Sequence, residues 1–88
     1  MTRNELKKWL SKYMEFVHDS EDFRQDFKDC IWVSGESQEE YNASVMYSYY
    51  AQGKAYEFGV LIEWEKQLNQ RGWHSQWYDG GTIILCKL

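Results

Sequence analysis

From Val45 to Ile62 the chain alternates in steps of two on either side of Gly53-Lys54, the pattern of a half-buried β-hairpin. A glycine at the first central position suits a two-residue turn, because it takes positive φ without strain. That turn sets Ala51 opposite Tyr56, Tyr49 opposite Phe58, Tyr47 opposite Val60 and Val45 opposite Ile62, all eight on one expected buried face. The other face pairs Gln52 with Ala55, Tyr50 with Glu57 and Ser48 with Gly59, mixed enough to meet water or a partner. Helices over 38–52 and 54–71 are the rival reading, giving a mostly helical protein with a single C-terminal hairpin. On a helical wheel the first of these scatters its apolar residues, and the second puts Glu65 inside the core face.

Upstream, Thr2 and Glu5 form a capping box, so a first helix starts at Arg3. Leu6, Leu10, Tyr13 and Val17 are its central stripe, flanked by Trp9, Met14 and Phe16, and His18 ends it. Asp19 and Ser20 then cap a second expected helix, with Phe23, Phe27, Cys30 and Ile31 as its buried stripe. Residues 36–42 form an acidic connector, where Ser37 and Glu40 offer a further helix start. After Gly59 the period returns to 3.6: Leu61, Trp64 and Leu68 share a side, and Gly72 closes that helix. A last hairpin follows, 73–78 and 82–88 about Asp79-Gly80-Gly81. Trp73, Ser75 and Trp77 are expected to share its core face with Ile84 and Cys86. The fold class is α+β, in the order helix, helix, hairpin, helix, hairpin: an antiparallel sheet with helices packed on one face.

Eighty-eight residues are the length of one small domain, and five Trp, seven Tyr and four Phe supply most of its core. No apolar run suffices for a membrane span or a signal-peptide core, so a soluble cytoplasmic protein with reduced, buried cysteines is expected. Asn42-Ala43-Ser44 then has no meaning as a glycosylation acceptor.

Signatures of catalysis are missing: no glycine-rich phosphate loop, HExxH, CxxC, G-x-S-x-G or EF-hand loop occurs. His18, Cys30, His74 and Cys86 are isolated from one another, unlike the short-spaced pairs of zinc sites. The expectation is a protein that is not an enzyme and carries no metal or cofactor.

The net charge of −4 is unevenly distributed. Residues 1–14 carry four cations and one anion, and residues 15–42 carry nine acids against Arg24 and Lys28. On a helix, Asp22, Asp26 and Asp29 would form a line rising about 10.5 Å. One DNA strand presents a phosphate about every 3.4 Å, so the ridge resembles a nucleic acid in charge spacing. Glu36, Glu39 and Glu40 extend it, while Trp32, Tyr41, Tyr50 and Tyr78 are the rings expected at or near the surface. Together these ten residues are the candidate partner-binding site.

The functional expectation is a small acidic interaction module, a stoichiometric inhibitor or regulator of the kind carried by phages and mobile elements. It would dock on a protein with a basic surface, such as one that handles nucleic acid. The alternative is direct nucleic-acid binding through Arg3, Lys7, Lys8 and Lys12 of the first helix with stacking on exposed aromatics, disfavoured because Glu5 and Glu15 stand at ion-pair spacing from Lys8 and Lys12. Homodimerisation through an edge strand is a third route.

Overall fold

A computed structural model describes residues 1–35 and 38–88. Its centre is an antiparallel four-stranded sheet, in spatial order β1 (Val17–Asp19), β2 (Ile31–Ser34), β8 (Thr82–Lys87) and β7 (Trp73–Asp79). Helices α1 (Arg3–Leu10) and α2 (Ile62–Gln70) supply Leu6, Leu10, Trp64 and Leu68 to a core shared with Ile31, Val33, Trp73, Ile83 and Leu85 of the sheet. The α+β class is therefore as the sequence indicates, and the mostly helical alternative is excluded. The order of elements differs in three places.

The first difference lies between α1 and β2. The helix stops at Leu10, and Val17 and His18 belong to β1, paired with Val33 and Trp32. No second helix forms; a single 3-10 turn, Ser20–Asp22, opens a loop that runs to Cys30. Buried Ser20 explains why. Its N–H donates to the Cys30 carbonyl (3.1 Å), its Oγ donates to the Phe27 carbonyl (2.7 Å), and its Oγ accepts from the Cys30 N–H (3.0 Å). One serine thus ties both ends of the loop together, a local bonding pattern that competes with helix. Phe23 and Phe27 remain neighbours, 6.0 Å apart as stacked rings, but in a loop.

The second difference is the central hairpin. Its expected register survives near the base, where Tyr47 bridges Val60, Leu61 N–H donates to Met46 O (2.8 Å) and Ser48 N–H donates to Gly59 O (2.9 Å). Beyond Ser48 the pairing departs. Two short hairpins form instead, β3 (Glu40–Tyr41) with β4 (Ser44–Val45), and β5 (Tyr56–Glu57) with β6 (Val60–Leu61). The second turns at Phe58-Gly59, both with positive φ (51° and 76°). A Cβ on Gly59 would lie 2.6 Å from the Ser48 carbonyl oxygen, so only glycine lets residues 46–48 approach. Of the eight residues assigned to one buried face, Val45, Tyr49 and Phe58 are exposed and Tyr47 is buried. Glu40 lies in β3 rather than in a helix; Ser37, its expected capping partner, is outside the described residues.

Third, the last hairpin turns where expected but changes register. Asp79 faces Thr82, Trp77 faces Ile83, and Tyr78 is an extra residue between them, a β-bulge. Trp73, Ser75 and Trp77 therefore share a face with Ile83, Leu85 and Lys87. Ile84 and Cys86 turn to the opposite face, with Cys86 across from His74.

A directed chain of polar groups joins α2, the central segment and β7. Glu65 Oε1 and Oε2 accept from Ser75 Oγ (2.7 Å) and Ser75 N–H (3.0 Å). Because the Ser75 proton goes to the carboxylate, Tyr47 Oη donates to Ser75 Oγ (2.7 Å), and Tyr47 Oη accepts from Trp64 Nε1–H (2.8 Å). Burial holds the Tyr47 hydroxyl proton far above its ordinary pKa, so it stays a donor. Tyr47→Phe leaves the buried Trp64 N–H without its acceptor. Urea denaturation of that variant is expected to show a loss of about 1–3 kcal/mol; unchanged stability would mean that the chain contributes nothing.

Candidate docking surface

Both helices pack on one face of the sheet, and the opposite face is covered only in part, by the Ser20–Cys30 loop. That outer face carries a continuous group of rings. Trp32 of β2 meets Phe16 (4.7 Å between centroids), His18 (5.7 Å) and Phe23 (4.9 Å). Phe23 then meets Tyr78 edge-on (4.8 Å), and Phe27 meets Tyr78 at 5.9 Å. Tyr78 is exposed because the bulge turns it out of the hairpin.

A second ring group lies at the end of the sheet where β7 turns into β8. Trp77 meets Tyr49 edge-on (5.1 Å), Tyr49 meets Tyr50 (5.2 Å), and Trp77 Nε1–H donates to the Phe58 carbonyl (2.7 Å). Tyr50 is 85 % and Phe58 87 % exposed. Left-handed backbone is an outlier for a residue as bulky as phenylalanine, and here it holds the ring out in solvent. Beside it, a groove of about 440 Å³ runs between Phe58, α2 and β7.

The candidate residues named from sequence separate into distinct regions. Asp22, Asp26, Asp29, Trp32 and Tyr78 come together on or beside the outer sheet face, and Tyr50 belongs to the tip. Tyr41 does not join them: it is half-buried against Tyr13 (5.6 Å) and Trp64 (5.5 Å) on the helical side. Glu39 and Glu40 are exposed near α1, where Glu39 N–H donates to the Tyr13 carbonyl (2.7 Å). Glu36 lies outside the described residues. Sequence reasoning missed Phe23, Phe27, Tyr49 and Phe58, all assigned to the interior by periodicity.

The acidic ridge does not exist as a line, because its helix does not. Three acids of the block are instead paired internally. Asp19 pairs with Lys7 (2.8 Å) and Arg3 (3.4 Å), Glu21 with Arg3 (2.6 Å), and Asp26 with Arg24 (3.1 Å). Asp22, Asp29, Glu57 and Asp79 are exposed and form no ion pair with a described residue. The same pairs engage Arg3 and Lys7, half of the basic helix patch, which reduces what α1 could offer a phosphate backbone. Neither sulfur lies on the buried stripe expected of it. Cys30 and Cys86 are half-buried on the outer face, as free thiols with Sγ atoms 2.7 Å apart. His18 is exposed in β1 rather than ending a helix.

Among the described residues, no group of three or more His, Cys, Asp or Glu could hold a metal ion, and no helix is long and apolar enough to cross a membrane. No family model, curated protein or solved structure matches the chain.

Glu21 is the keystone of the charged edge. Its pKa is lowered from 4.5 to about 2, first by the Asp29 N–H it accepts (3.0 Å), then by its own backbone N–H and by Arg3. A depressed carboxylate stabilises the fold above its unfolded value and loses that contribution as pH falls through the folded one. Urea midpoints of the wild type are thus expected to fall between about pH 4.5 and about pH 2, with a shallower fall for Glu21→Gln. Parallel curves for the two proteins would remove Glu21 from this role.

Proposed function

We propose that this chain is a small protein-interaction module, acting stoichiometrically as an inhibitor or regulator. It docks its outer sheet face and aromatic tip on a protein with a basic surface. The observation that carries this reading is the pair of aromatic side chains, Tyr50 and Phe58, left almost wholly in solvent beside the sheet. Exposed rings in contiguous groups mark interaction sites, because they bury much area at small entropic cost. Acids supply the sign of the partner: Asp22, Glu57 and Asp79, each next in sequence to one of these rings, and Asp29 are exposed and outside the ion pairs of the described residues. Electrostatic complementarity of that kind speeds association and weakens as salt rises.

Affinity capture from cell extract with the immobilised chain tests this, run beside the folded variants Tyr50→Ala/Phe58→Ala and Asp22→Asn/Asp29→Asn. A stoichiometric protein partner is expected with the wild type. Its affinity should drop at least about tenfold with the aromatic variant, the scale of a lost hot spot, and more modestly with the Asn variant or in high salt. Equal recovery of every captured protein by all three forms would refute the proposal.

A further inference from the structure

Cys30 and Cys86 are far apart in sequence, yet the β2–β8 ladder brings them side by side. Ile31 faces Leu85, and the next step along the ladder sets Cys30 beside Cys86, both on the outer face. The backbone fixes the type of pair. Cys30 N–H donates to Ser20 Oγ, and its carbonyl accepts from Ser20 N–H and from Arg3 Nη1 (3.1 Å). Both Cys30 backbone groups are thus engaged by Ser20, away from β8, which makes this a non-hydrogen-bonded antiparallel position. Such positions bring Cα atoms to about 4.5 Å, inside the range of about 4.4–6.8 Å that a disulfide spans. The two sulfurs also line a small outer-face pocket of about 150 Å³ with Phe27, Gln76, Tyr78 and Ile84, so a small solute can reach them.

We infer that Cys30 and Cys86 are an oxidation site, converted by hydroperoxides into an intramolecular cross-strand disulfide. One sulfur attacks the peroxide, breaking the O–O bond; it becomes a sulfenic acid, and the leaving oxygen departs as water or alcohol. The second thiol attacks that sulfenic sulfur. The S–S bond forms, a second water leaves, and the two electrons lost by the sulfurs have gone to the peroxide. Burial, with the neighbouring Cys30 sulfur, holds the Cys86 proton well above the usual thiol range. The inference does not rest on the proposed docking function.

Intact mass, peptide mapping and thermal melting of the wild-type chain, before and after stoichiometric hydrogen peroxide, test it. Expected are loss of two hydrogens without added oxygen, a Cys30–Cys86 linked peptide from monomeric protein, and loss of both alkylatable thiols. Tm should rise by on the order of 10 °C, reversed by dithiothreitol. Cys86→Ser and Cys30→Ser should show no such rise. Wild-type protein that keeps both thiols, gains oxygen without cross-linking, or links only between chains would overturn the inference.

Discussion

One extra residue, Tyr78, decides which side chains this protein hides. A Gly80-Gly81 turn sets Asp79 opposite Thr82, and an unbroken ladder would continue with Trp77 opposite Ile84 and Ser75 opposite Cys86. On β8, however, Ile83 and Leu85 face the helices, because β2 matches them with Val33 and Ile31. On β7 the side chains that must face the helices are Trp73, Ser75 and Trp77. Both demands are met only if one strand gains a residue, since a one-residue shift exchanges the two faces of a strand. The bulge makes the exchange. It buries Trp73, aims Ser75 at Glu65 and turns Tyr78 outward.

The charge pattern obeys a comparable constraint. A basic first segment and an acidic second one, far from neutral when each is taken alone, meet along the α1–β1 edge. Arg3 and Lys7 take Asp19 and Glu21, and Glu21 in turn holds the Asp29 N–H at the far end of the loop. Two acids of that block that lie outside the ridge read from sequence, Asp19 and Glu21, thus serve to seat a loop over the sheet. What remains for a partner is a smaller set of carboxylates around exposed rings.

Legibility followed the locality of each signal. The Thr2–Glu5 capping box, the α2 stripe with Gly72 at its end and the position of the last turn were readable, because each depends on residues a few positions apart. So was the register where residues 46–48 meet 59–61. The Ser20 loop was not, since Phe23, Phe27, Cys30 and Ile31 fit a helical period while one serine's bonds to residues 27 and 30 override it. Phe58-Gly59 was not, because a bulky residue is a poor signal for a turn with two positive φ angles. The bulge was hidden by β8 itself: Ile83, Ile84 and Leu85 are all buried, so its alternation names no face.

The buried place of Trp73 and the outward place of Tyr78 in the proposed docking face both follow from that bulge, so the register of the last hairpin is the claim to test first. Cross-strand backbone NOEs in a labelled sample measure it directly. The account predicts His74 opposite Cys86 and Gln76 opposite Ile84. NOEs placing Ser75 opposite Cys86 and Trp77 opposite Ile84 would contradict it.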